Sequence, residues 1–148
     1  MVGKSIYENK EFEHFATVFY DTNANGLQPK TFEEYERAIN KSSAGGGTTF
    51  GAAFDWIISF INRTKNLRDI SIIFFTDGLD DDGNIALDNF QNQMRQKEIK
   101  SRFLTIGFSN DHDAVFLNKI AQAGSELGNF FFIDTSNSNY SDQVKECL

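Results

Sequence analysis

Ser71-Ile-Ile-Phe-Phe-Thr-Asp-Gly-Leu-Asp-Asp-Asp82 is a short apolar run that ends abruptly in a carboxylate and a glycine. Ile72 to Phe75 are β-branched or aromatic with no polar residue at alternate positions, the pattern of a strand covered on both faces of an α/β sheet. Sheets of that class bind ligands outside the carboxyl ends of their strands. Asp77 is therefore placed where binding or chemistry is expected, and Gly78 lets the chain turn away without a Cβ. Taken alone, Asp77-Gly78 reads equally well as a plain strand-ending turn.

Working outward, the pattern on either side of this strand alternates. Upstream, Ser42-Ser-Ala-Gly-Gly-Gly-Thr-Thr49 is a glycine loop that runs into Phe50, Phe54, Ile57, Ile58 and Ile61 at helical spacing. Downstream, Asp80-Asp-Asp-Gly-Asn84 leads into a helix with Leu87, Phe90 and Met94 on its buried side, and Asp81 and Asp82 are suited to the positive end of that helix. A strand at Ser101 to Phe108, a helix carrying Leu117, Ile120 and Ala121, and a strand at Asn129 to Ile133 follow. Val144 and Leu148 mark a last helical segment. This order predicts a Rossmann-like, doubly wound, mostly parallel sheet with helices on both faces and right-handed crossovers.

Before residue 50 the signal is thinner. Phe15-Ala-Thr-Val-Phe-Tyr20 is a second strand candidate, closed by the turn-rich Asp21-Thr-Asn-Ala-Asn-Gly26. Thr31 and Glu34 form a capping-box pattern ahead of a short helix with Phe32, Tyr35 and Ile39 on one face, ending near Lys41.

The 148 residues are read as a single domain with 40% hydrophobic content and 16 Phe. The net charge of -7, with no Lys/Arg stripe, argues against nucleic acid or anionic membrane as partners. Apolar runs such as Phe130 to Ile133 fall far short of the roughly 20 residues of a spanning helix. No secretory core is seen at Met1 to Glu8, and Cys147 is the only cysteine, so an intracellular, reducing location is expected. The N-x-[ST] matches at Asn40, Asn62 and Asn139 are then accidental.

Several site chemistries fail on spacing. A phosphate-binding P-loop requires Lys after the last glycine, whereas Thr48 follows Gly47, and a dinucleotide fingerprint from Gly45 would need glycine at Phe50. An EF-hand with Gly83 as its sixth residue would put Gly78 first and Asn89 twelfth, where Asp and Glu are needed. A haloacid-dehalogenase-like phosphatase is the enzyme alternative, but Phe75 stands where its nucleophilic Asp belongs. His14 and His112 read as surface residues. Thr48 and Asp77 remain, as hard oxygen donors for Mg2+ or Mn2+.

The order Gly46-Gly-Thr48 before a helix, then an apolar strand and Thr76-Asp-Gly78, resembles a von Willebrand factor type A domain. Phe103-Leu-Thr-Ile-Gly-Phe108, Leu117-Asn-Lys-Ile-Ala121 and Gly128-Asn-Phe-Phe-Phe-Ile133 resemble that family's final strand-helix-strand unit. The resemblance implies a non-enzymatic protein-interaction module with a metal-ion-dependent adhesion site, in which a partner's carboxylate completes the shell of Mg2+. It assigns Thr48 and Asp77 to two of the metal-binding roles. The third, an Asp-x-Ser-x-Ser at the end of the family's first strand, has no counterpart before residue 48, so any Mg2+ is expected to bind weakly. The strand itself, within a unit of roughly 30 residues, is also missing from the pattern, and the resemblance makes it central in the sheet. The chain is accordingly expected to be a single 1–148 domain incomplete at its N-terminus, or to take the strand from another chain. A non-binding scaffold is a further reading. Asp134-Thr-Ser-Asn-Ser138 does match Asp-x-Ser-x-Ser, through Asp134, Ser136 and Ser138, but follows what resembles the family's last strand, and short Asx/Ser-rich loops match such a pattern by chance.

Overall fold

A computed structural model describes residue 8 and residues 13–43, 46–80, 83–108, 112–136 and 139–146. Expectations resting on Ala44, Gly45, Asp81, Asp82, Asn110, Asp111, Asn137, Ser138, Cys147 and Leu148 lie outside the described residues. The elements, in chain order, are β1 (Thr17–Tyr20), β2 (Ala24–Leu27), α1 (Phe32–Lys41), α2 (Phe50–Arg63), β3 (Asp69–Thr76), α3 (Gly83–Lys97), β4 (Lys100–Phe108), α4 (Ala114–Gln122), β5 (Asn129–Ile133) and α5 (Tyr140–Glu146).

The second half follows the sequence pattern closely. Strands β3, β4 and β5 form a parallel sheet in that order, with Ile72 opposite Phe103 and Ile106 opposite Phe131. Parallel neighbours need crossover connections. Here α3 and α4 supply them, and both pack on the same face because the sheet winds in one direction. That face holds the main core, where Phe54 lies 5.3 Å from Phe74 and 5.5 Å from Phe90, and Phe90 lies 5.3 Å from Phe103, ring centre to ring centre. Phe50, Phe54, Leu87, Phe90, Phe103, Leu117 and Ile120 are wholly buried. Each such side chain contributes roughly 1.5 to 3 kcal/mol of burial free energy. Thr105 is buried among them with its hydroxyl donating to the Leu117 carbonyl at 3.0 Å, so the sheet gains a polar tie to α4 without an orphaned group.

The opposite face is thinner. Ile106, Ile133 and Val144 of α5 form a small cluster against which Ile73, Leu104 and Phe108 pack. Helices do therefore lie on both faces, with α2, α3 and α4 on one face and α5 on the other.

The first half departs from the sequence reading. Asp21 to Gly26 is not wholly a turn, because Ala24–Leu27 forms a strand that pairs antiparallel with β1, Tyr20 opposite Ala24. Asn and Gly depress strand propensity, which hid β2. The hairpin is held by α2 instead, and a Cβ on Gly26 would stand 2.0 Å from the Trp56 ring, so glycine lets the strand lie flat on the indole. The tight return at Asp21 comes from its own carboxylate, whose Oδ1 accepts the Asn23 N–H at 2.8 Å. Helix α1 begins as predicted, with the Glu34 N–H donating to Thr31 Oγ1 at 3.2 Å, while the Glu34 carboxylate accepts from Lys30 N–H at 2.8 Å. No residue of α1 is fully buried.

Strands β1 and β3 do not pair. Among the described residues β1 bonds only to β2, and β3 only to β4. Tyr20 bridges them, with its hydroxyl donating to the Phe75 carbonyl at 3.4 Å and its ring 6.0 Å from Phe74 and 5.9 Å from Phe50. No helix among the described residues is long and apolar enough to cross a membrane.

Candidate functional site

Three loops meet at the carboxyl end of β3. The first follows β3 itself and carries Asp77, Gly78 and Asp80. Its turn is held by the Gly78 N–H, which donates to Thr76 Oγ1 at 3.2 Å. The second precedes α2 and carries Thr48 and Thr49. The third follows β1, where the Asp21 carbonyl accepts the Thr49 N–H at 2.7 Å.

Thr48 and Asp77 are brought together. A Cβ on Gly78 would stand 2.1 Å from Thr48 Oγ1 and 2.9 Å from its Cβ, so the threonine side chain rests directly on the glycine that follows Asp77. That contact, more than the turn of the chain, is what demands glycine at 78. Gly47, with φ of 89°, sets the threonine there by adopting the left-handed conformation. Asp77 is exposed and Thr48 half-buried, so the pair faces solvent.

Asp80 has a role that the sequence did not reveal. Thr49 occupies the N-cap position of α2 but makes no side-chain cap bond. Asp80 Oδ2 accepts the Phe50 N–H at 2.5 Å instead, from across the site. A carboxylate at a helix N-terminus satisfies an orphan donor and opposes the positive end of the macrodipole. The sequence placed Asp80 ahead of α3, and only the fold carries it to α2.

Tyr20 lines the same end of the sheet. Burial pushes its hydroxyl up to about 12; a hydrogen bond with the Thr76 side chain works against this, and the charges of Asp77 and Asp80 add to it.

Asp134 is not part of this group. It follows β5, and β4 lies between β5 and β3, so it is displaced sideways by about 9.5 Å, two strand spacings, from the end of β3. Its carboxylate accepts Ser136 Oγ–H at 2.6 Å and Ser136 N–H at 2.9 Å, which holds it below the usual carboxylate range. Asp134 and Ser136 thus close a local turn. His112 stacks on Phe132 of β5 with ring centres 5.1 Å apart, and β4 separates that strand from β3 and Asp77. Phe75, at the position of a phosphatase nucleophile, stacks on Phe108 at 5.9 Å.

Mg2+ takes six oxygen ligands in near-octahedral order. Thr48 and Asp77 have the chemistry for two of them. Among the described residues no cluster of three or more His, Cys, Asp or Glu is arranged to hold a metal ion. The donor set of the described residues fits such an ion only in part.

Comparison with known proteins agrees with the fold. The profile of the von Willebrand factor type A domain matches residues 7–146, and the chain belongs to that family. Among solved structures, a von Willebrand factor type A protein from Catenulispora acidiphila is similar at TM-score 0.64 and 18% identity, over 90% of this chain and 32% of that one. The conserved hypothetical protein BatB from Bacteroides thetaiotaomicron is similar at TM-score 0.58 and 17% identity, over 90% of this chain and 77% of that one. An aerotolerance-related membrane protein from Bacteroides fragilis is similar at TM-score 0.56 and 15% identity, over 90% and 78%. The chain spans about a third of the length of the Catenulispora acidiphila structure it matches. No curated protein sequence matches. Domains of this family are generally non-enzymatic modules of protein interaction and adhesion.

Proposed function

We propose that this chain is an adhesion-type protein-interaction module whose metal-ion-dependent adhesion site is partial. The observation that carries the reading is Thr48 seated on Gly78 beside Asp77, a hydroxyl and a carboxylate at the carboxyl end of one strand. Thr48 and Asp77 would hold the ion, which when bound would offer an open position to a partner's carboxylate. With two protein ligands, retention of Mg2+ or Mn2+ is weak, at about millimolar dissociation constants or weaker.

Calorimetric titration of Mg2+ and Mn2+ tests this. Weak binding that is lost in both Thr48→Ala and Asp77→Ala supports the partial site. Micromolar binding would overturn the word partial, and partner capture that persists undiminished in EDTA would overturn a metal-dependent mechanism. A melting temperature wholly indifferent to either metal at high concentration would favour a scaffold without metal.

A further inference from the structure

We propose that the outer edge of β5 pairs with the same edge of a second copy of this chain, in antiparallel order about Phe131, and so joins two sheets across a two-fold axis. The inference is independent of the metal reading, since β4 separates β5 from β3 and Asp77.

The edge is open and unguarded. Among the described residues the ladder of β5 is with β4 alone, and its register runs unbroken from Asn129 opposite Leu104 to Ile133 opposite Phe108. Such an edge is a template for another strand, and proteins ordinarily blunt it with lysine, proline or a bulge. Here Leu127-Gly-Asn-Phe-Phe-Phe-Ile133 carries no charge and no proline. Leu127 is 85% exposed and Phe132 47%, which leaves an apolar margin along the strand. The edge of β2, by contrast, is Ala-Asn-Gly-Leu and offers little for a strand to pack against.

The register names the occupant. Antiparallel pairing centred on Phe131 sets every residue of β5 against a residue of the other β5, Asn129 against Ile133, Phe130 against Phe132, and Phe131 against its own copy. A patch that is complementary to itself in this way closes under a two-fold axis. Phe130 and Phe132 share one face of the strand, where the His112 ring lies 5.9 Å from the first and 5.1 Å from the second. Pairing places two Phe130–Phe132 contacts across the new junction, and aromatic pairs of this kind stabilise antiparallel neighbours.

Charge selects the antiparallel order. Residues 63–69 and 95–102, around the starts of β3 and β4, carry seven lysines and arginines against Asp69 and Glu98. Glu126, at the same end, is engaged by Arg102 at 2.7 Å and by Lys100 at 3.8 Å. Residues 76–84, 108–113 and 134–139, which follow the three strands, contain no lysine or arginine, and Asp77, Asp80, Asp113 and Asp134 stand among them. The sheet thus has a basic end and an acidic end. Antiparallel pairing lays the acidic end of one copy beside the basic end of the other, whereas parallel pairing would lay like beside like. Asp134, the carboxylate that directly follows β5, comes opposite Gly128, and its two copies stand about 20 Å apart, well beyond a screening length of about 8 Å. A five-residue edge buries less than the roughly 800 Å² per partner of a standard complex, so the dimer is transient, with a dissociation constant of about 0.1 to 1 mM.

Sedimentation of the full chain from about 10 µM to 2 mM, with hydrogen exchange at the upper end, tests this. A monomer–dimer equilibrium is expected, with exchange slowed at alternate residues of Asn129–Ile133. Phe132→Lys, made at a half-exposed position and checked for folding by circular dichroism, should weaken association about tenfold or more. Ile85→Lys on α3, at a side chain 76% exposed, should leave it unchanged. A nitroxide on Leu127→Cys in a Cys147→Ser background should report about 27 Å between copies in the antiparallel dimer, against about 5 Å in a parallel one. A chain that stays monomeric throughout overturns the proposal, as does a dimer that Phe132→Lys leaves intact. Protection that falls on β1 or β3 and spares β5 overturns the choice of edge. A short nitroxide distance overturns the antiparallel order, and growth beyond the dimer overturns the closed two-fold.

Discussion

The two halves of this molecule are built to different standards. From α2 to β5 each strand is packed against helices whose phenylalanines are buried outright, whereas β1, β2 and α1 contain no fully buried residue. The hairpin is joined to the rest by its seat on α2 and by Tyr20 reaching to β3. A sheet is a cooperative object only where its strands bond to one another, and among the described residues β3 bonds only to β4. The difference teaches that, among the described residues, the second half is held by ladder bonds and crossover helices, whereas the hairpin meets the rest through side-chain contacts.

Three measurements break or sharpen the contrast. The largest effect is expected from Phe54→Ala, which leaves a cavity among Phe74, Phe90 and Phe103 and should cost about 3 to 5 kcal/mol in urea unfolding. Tyr35→Ala on α1 should cost far less, and equal losses would end the distinction. Next in size is an alkaline effect. The folded value of Tyr20 lies above its ordinary value, so its contribution is complete below pH 10 and is lost as pH rises towards 12. The loss amounts to roughly 2 to 3 kcal/mol, and Tyr20→Phe should flatten that part of the stability profile. If the hairpin detaches first, exchange at β1 will accelerate across this range before exchange at β4 does. The smallest is Asp80→Ala, which removes the cap of α2 at about 1 kcal/mol and should appear on the melting temperature as a shift of a few degrees.

Much of the well-packed half was legible in the sequence because its signals are periodic. Leu87, Phe90 and Met94 on α3, and Leu117, Ile120 and Ala121 on α4, are buried where their spacing put them. Strand β5 has the bounds that its apolar run suggested, and β3 is longer by the two residues Asp69 and Ile70. Thr48 and Asp77 were singled out as hard oxygen donors and then by resemblance, and the structure adds that Thr48 rests on the bare Gly78 backbone beside Asp77. What stayed hidden was non-local. The sequence of β2, Ala-Asn-Gly-Leu, looks like a turn because Asn and Gly depress strand propensity, and no local pattern announces its seat on Trp56 of α2. Asp80 looked like the start of α3, since its acceptor role toward Phe50 depends on two loops being folded against each other.

The seat of Thr48 on Gly78 leaves the threonine no room to sink. Two segments thirty residues apart in the chain are thereby geared together at the rim, and the Asp80 link to Phe50 is a second tooth in the same gear. Asp77 is thereby one residue from the contact that seats the start of α2, the helix on which the hairpin lies.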